Sequence, residues 1–131
     1  MLADDRASRH FGIAVTAVGP GTATVEMTVQ EHMLNGFGTC HGGVLTVLAD
    51  SAFAFACNSH NTMAVAAGLS MDFLRPARAG DRLAAEAVEL SCGGRSGLYD
   101  VTVRNQRGER VAAFRGRAHR FAGRAAVPLD G

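Results

Sequence analysis

The run Val44-Leu45-Thr46-Val47-Leu48-Ala49-Asp50-Ser51-Ala52-Phe53-Ala54-Phe55-Ala56-Cys57 leaves this chain few ways to fold. On a helical wheel its apolar side chains fall on every side, and Ala, Leu and Phe favour helix over strand. A helix with no face that prefers water must be enclosed, so the rest of the chain has to curl around it. The run also holds Asp50, the single formally charged residue between Glu31 and Asp72. An ionised carboxylate buried without partners is costly, and such groups are normally paired, hydrogen-bonded or protonated. A structural partner, a metal ion or a substrate could each compensate it.

The enclosing material reads as strands. Gly12 to Val18 is apolar-rich, Gly19-Pro20-Gly21 is a turn signal, and Thr22 to Gln30 alternates, with Ala23, Val25, Met27 and Val29 on one face. A glycine-rich loop, Asn35 to Gly43, precedes the helix, and Asn58-Ser59-His60-Asn61 ends it. Met63 to Leu74, Arg82 to Cys92, Gly97 to Arg104 and Arg110 to Phe121 follow as strands. The alternation in Arg82 to Cys92 slips near Val88-Glu89, which predicts a bulge. Arg115, Arg117 and His119 share one face of the last strand, opposite Phe114, Gly116 and Ala118. Residues 122–131 read as a frayed tail.

Composition narrows the function classes. A length of 131 residues fits one domain, and a net charge of +1 gives no global reason to expect nucleic acid or membrane. The start lacks the basic and apolar stretches of a secretory signal, and three widely spaced cysteines fit reduced thiols, so a cytoplasmic protein is expected. Residues 75–131 carry eleven arginines against six acids, a local anion-binding capacity that solvated strand faces would also explain.

Cys40-His41 and Cys57 with His60 resemble a zinc ligand set, but His41 and Cys57 sit near opposite ends of one helix, about 24 Å apart at 1.5 Å per residue. Cys40 with His41 as a nucleophile and base lacks a third group, and adjacent residues seldom direct side chains at each other. What the glycine loop offers is backbone: the N–H groups of Gly42, Gly43 and Val44 have no intrahelical partners and point outward, as an oxyanion hole requires. Asp50 lies eight residues past Gly42, roughly 12 Å along the same helix, too far to act on a carbonyl held there. The two could cooperate only across a symmetric dimer. Alternatively Asp50 caps a second helical segment starting at Ser51, and His41 and Asn35 serve as loop or capping residues.

The segments Met33-Leu34-Asn35-Gly36, Cys40-His41-Gly42-Gly43, Leu48-Ala49-Asp50-Ser51-Ala52-Phe53-Ala54, Ala56-Cys57-Asn58-Ser59 and Asp72-Phe73-Leu74-Arg75-Pro76 with Gly80-Asp81 occur in this order. Together they resemble the hotdog-fold acyl-CoA thioesterases, within them the phenylacetyl-CoA thioesterase type, from about Phe11 to Phe121. The resemblance implies an α+β hotdog fold: a curved antiparallel sheet wrapped around one long central helix, a single domain over residues 1–131 with its core at about 11–121. It also implies homodimers at minimum, pairing into homotetramers. By position Asp50 matches the catalytic carboxylate, as general base or nucleophile, and Gly42 of a facing subunit donates its N–H to the thioester carbonyl. His41 and Asn35 of that subunit would position the carbonyl and the attacking water. Many relatives add a Ser or Thr on the following strand; Val65-Ala66-Ala67-Gly68 has no hydroxyl, and Ser70 is a poor substitute. Arg95 and Arg75, with Arg78 behind them, are the expected contacts to CoA phosphates. The implied reaction is hydrolysis of an aryl-acyl-CoA, such as phenylacetyl-CoA or hydroxyphenylacetyl-CoA, to the free acid and CoA without metal or cofactor. Medium-chain acyl-CoA hydrolysis, a non-catalytic acyl-CoA-binding module and dehydratase or hydratase chemistry are the alternatives.

Overall fold

A computed structural model describes residues 4–127. The apolar run forms α2, Gly42–Cys57, preceded by a short helix α1, Arg6–His10. The strands are β1 (Ala14–Gly19), β2 (Thr22–Thr28), β3 (Ala64–Phe73), β4 (Arg82–Gly93), β5 (Ser96–Arg104) and β6 (Arg110–Arg120). They form one antiparallel sheet in the order β1-β2-β4-β5-β6-β3. This is the expected α+β arrangement, with α2 packed in the curve of the sheet.

Alternation selects the concave face. Ala23, Val25 and Met27 of β2, Leu83, Ala85 and Ala87 of β4, Tyr99, Val101 and Val103 of β5, and Phe114 and Ala118 of β6 are buried against the helix. Many of these are alanine, so the backbone of α2 approaches the sheet closely. Phe53 fills the centre, edge-on to Tyr99 with ring centroids 5.5 Å apart and tilted against Phe114 at 5.6 Å. Gly116 makes room for it, since a Cβ there would lie 2.6 Å from the Phe53 ring. The β4 register shift falls between Glu89 and Ser91, where the slipped alternation placed a bulge.

The helix begins at Gly42, where the sequence placed the first unpartnered N–H group, and His41 caps it. Three expectations need correction. The N-terminal residues join the core: Asp5 caps α1 by accepting from Ser8 N at 3.0 Å, and Ser8 is buried with its hydroxyl 2.7 Å from that of Ser51. A five-residue helix is too short to show a period. The enclosure of α2 is incomplete, leaving Val44, Val47, Asp50 and Phe55 half-buried. Finally, residues 122–127 are tied down, with Met63 N donating to Arg124 O at 2.7 Å and Val127 N to Asn61 Oδ1 at 3.0 Å; the remainder of the expected tail, Pro128 to Gly131, lies outside the described residues.

Because Phe53 is packed against Gly116, Gly116→Ala should lower stability by about 1–3 kcal/mol in denaturant unfolding. Gly93→Ala, where an added Cβ meets nothing within 4 Å, should stay within about 0.5 kcal/mol.

Candidate active site

The loop before α2 is held by its own polar groups. Asn35 Oδ1 accepts from Phe37 N at 2.9 Å, Thr39 N at 3.2 Å and Thr39 Oγ1 at 3.3 Å, and Asn35 N donates to Thr39 O at 2.8 Å. Its side-chain amide N–H groups have no acceptor among the described residues. His41 N donates to Met33 O at 2.8 Å, which fixes the point where the chain enters the helix.

At that point His41 acts as the N-cap, its Nδ1 accepting from Gly43 N at 3.0 Å. Val44 N donates to His41 O at 2.9 Å. The expected trio of free N–H groups therefore reduces to one, because the cap consumes two: among the described residues only Gly42 N of the three lacks an acceptor. It stands at the positive end of a sixteen-residue helix, where a developing oxyanion is favoured. Phe73 of β3 packs over it so closely that a Cβ on Gly42 would lie 2.8 Å from the ring.

Gly42 and Phe73 border a cavity of about 400 Å³ that Asn35, Leu45, Arg75 and Pro76 also line. The structure thus brings three predicted residues together, Asn35, Gly42 and Arg75, with His41 beside them as the cap. Phe73 is a wall that sequence reasoning gave no role, although it lies inside a segment that carried the family resemblance.

Asp50 is elsewhere. It lies about 12 Å along α2 from Gly42, half-buried and outside the cavity lining. α2 is unbroken through it, so Asp50 caps no second segment; Ser51 instead donates its hydroxyl to Val47 O at 2.9 Å. No donor or cation among the described residues bonds the Asp50 carboxylate. Burial first, and then the like charge of Asp5, raise its pKa above the ordinary aspartate value. Asp5 went unnoticed in the sequence because its effect needs α1 folded onto α2.

The arginines separate by partner. Arg75 donates to Glu109 at 3.3 Å at the cavity rim. Arg115 makes a two-pronged pair with Asp100 at 2.7 and 3.0 Å on the convex face. Arg78 is exposed and meets Asp81 through its backbone N–H. Arg95 sits in the β4–β5 turn, toward the C-terminal end of α2, its guanidinium without a partner among the described residues. Ser70 stands opposite Arg115 on the convex face, so it orients no water near Gly42.

Cys40, Cys57 and Cys92 are free thiols, in accord with their wide spacing in the sequence. Burial pushes the Cys40 thiol up to about 11 and the Cys57 thiol up to about 12. The His41 ring, occupied with Gly43 N, does not serve Cys40 as a base. Cys40 and Cys57 flank opposite ends of α2, as the helix length required.

Comparison with known proteins followed the same lines. The thioesterase superfamily profile matches residues 37–112. Acyl-coenzyme A thioesterase PaaI of Escherichia coli is 46% identical over 123 residues, covering 94% of this chain and 88% of that protein. The solved structure of E. coli PaaI, from the phenylacetic acid degradation operon, superposes with a TM-score of 0.92 over 95% of this chain and 90% of that one. A Streptococcus mutans protein solved with acetyl-CoA is 26% identical, with a TM-score of 0.82 over 86% of this chain and 90% of that chain. With the fold, the glycine-led helix start and these similarities in agreement, the chain belongs to the thioesterase superfamily and is a hotdog-fold thioester hydrolase.

Proposed function

We propose that this protein hydrolyses an aryl-acyl-CoA, of the phenylacetyl-CoA or hydroxyphenylacetyl-CoA kind, to the free acid and CoA. Asp50 of one subunit is the general base or nucleophile, and Gly42 N–H of a facing subunit receives the oxyanion. The observation that carries this reading is the Asp50 carboxylate: half-buried, raised in pKa and without a bonding partner of its own. A group so placed is destabilising for the fold and is a better proton acceptor than an ordinary carboxylate.

The need for a second chain follows from distance, since roughly 12 Å of helix separates Asp50 from its own Gly42. Edge strand β3 supports it. Leu69 and Phe73 pair with inward-facing Gly116 and Ala112, yet remain 48% and 56% exposed even though the Phe73 ring touches Gly42, so both leave apolar surface on the concave face that this chain does not cover. A second copy meeting this edge would bury them and bring its own helix start toward Asp50. His41 and Asn35 flank the acceptor position, the latter with free amide N–H groups that suit a carbonyl or a water. Arg75 at the rim and Arg95 in the β4–β5 turn are the proposed phosphate contacts, from different subunits. Thiolate is a good leaving group, so an oxyanion donor, a carboxylate and a held water are enough. No helix among the described residues is long and apolar enough to cross a membrane, and three reduced thiols accord with a cytoplasmic location.

Following thiol release, Asp50→Asn should lower turnover by roughly 10² or more while leaving the melting temperature no lower than that of the parent. Unchanged hydrolysis would sink the assignment. Because its folded pKa is raised, Asp50 is protonated at a higher pH than a free aspartate, so activity should fall as pH drops, with the acidic limb lying above that of a free aspartate. Asp5→Asn removes the like charge and should shift this acidic limb to lower pH; a limb that stays put would show that the titrating group is not Asp50. His41→Ala should cost about 1 kcal/mol through loss of the cap. His41→Asn keeps a capping side chain, so reduced turnover at an unchanged melting temperature would mark a positioning role, and full turnover would leave capping as its only one. Across phenylacetyl-, hydroxyphenylacetyl-, benzoyl- and linear acyl-CoA esters, kcat/KM should be highest for the arylacetyl pair; a maximum on a linear chain would favour the medium-chain reading.

A further inference from the structure

Far from the Gly42 cavity, the C-terminal end of α2 meets the β4–β5 hairpin, and three different donor types converge there. His60 Nε2 lies 2.9 Å from Glu89 Oε1, and one ligand atom each from His60, Glu89 and Cys92 lie within 4.8 Å of one another. The β4 bulge creates this grouping. In an uninterrupted strand residues three apart point to opposite faces, but the register shift between Glu89 and Ser91 turns Glu89 and Cys92 to the same side.

The frame around the cluster is fixed. Gly21 N donates to Ser59 Oγ at 2.8 Å and Glu89 N donates to Gly21 O at 2.8 Å, tying the helix end, the β1–β2 turn and β4 together. The fully buried Tyr99 donates its hydroxyl to Glu89 Oε1 at 2.9 Å, orienting the carboxylate from behind as outer partners do for metal ligands. The cluster opens to solvent on the His60 side.

We propose that His60, Glu89 and Cys92 form a site for a zinc-type divalent cation that clamps the end of α2 to the β4–β5 hairpin. One imidazole, one carboxylate and one thiolate are a borderline-soft set that selects zinc over magnesium or calcium, and three protein ligands leave a fourth position for water. Ligation releases the Cys92 thiol proton to the solvent, and the two anionic ligands then balance the charge of the ion. The sequence groups His60 with Cys40, His41 and Cys57, a set split between the two ends of α2, whereas the partners the fold gives it, Glu89 and Cys92, are on β4.

The test is a cobalt(II) titration of the purified, metal-free full chain. The expected result is about one equivalent bound per chain, with the near-ultraviolet band of a thiolate–cobalt bond and visible bands of tetrahedral intensity, both displaced by zinc. Cys92→Ser should abolish the thiolate band, Cys40→Ala should keep it, and His60→Ala, at an exposed position, should weaken binding by roughly 100-fold or more. Tyr99→Phe should weaken it by about 10–100-fold. Zinc should raise the melting temperature of the parent and not that of Cys92→Ser. No thiolate band in the parent, or a band that survives both Cys92→Ser and His60→Ala, would overturn the proposal.

Discussion

Everything in this molecule depends on enclosing α2. A helix that is apolar on all sides can exist in water only if a surface closes over it, and the alanine-rich concave face of the sheet is that surface. The closeness is set at one point, where Phe53 packs into the space above Gly116 between Tyr99 and Phe114. Helix and sheet are thereby locked in rotation as well as distance, and that lock decides which helix residues stay half-covered. Asp50 is one of them, which is why its carboxylate is desolvated enough to have a raised pKa and still open to solvent.

The helix start follows a similar economy. Four N–H groups at the beginning of any helix lack intrahelical acceptors. Here His41 satisfies Gly43 with its ring and Val44 with its carbonyl, and only Gly42 of that stretch is left over. One donor at the positive end of a long helix, with Phe73 above it and Asn35 beside it, defines a narrower acceptor site than a row of free N–H groups would. The absence of a side chain at Gly42 is required by the Phe73 ring, not by backbone conformation, because its φ lies outside the left-handed region.

Fold class, strand order of appearance and the β4 bulge were legible in the sequence because periodicity is a local property: the Val88-Glu89 slip is visible in the letters themselves. The start of α2 at Gly42 was legible, but that the His41 cap takes up the Gly43 and Val44 N–H groups was not, since it depends on how the chain enters the helix. α1 was invisible at five residues, and with it the contribution of Asp5 to Asp50. For the site, the family motifs carried Gly42, Asn35 and Arg75 into one cavity, while Phe73 was missed because an aromatic at a strand end has no signature that separates wall from core. The His60, Glu89 and Cys92 cluster was beyond reach, since spacings of 29 and three residues become neighbours only through a bulge and a hairpin.

The two ends of α2 are chemically different, and the difference bears on how a two-chain site can work. The N-terminal end presents a bare N–H and an apolar wall; the C-terminal end is pinned by polar contacts from Ser59 and His60 to the β1–β2 turn and β4. If a second chain docks on edge strand β3, the mobile degree of freedom is the angle at which one subunit's Gly42 meets the other's Asp50, and every ångström there matters to attack on a thioester. Pinning the far end of each helix to its own sheet removes rotation about the helix axis within a subunit, leaving subunit docking alone to set that geometry. A helix held by side chains at one end and presenting a bare N–H at the other is therefore consistent with the proposed site in which two chains meet.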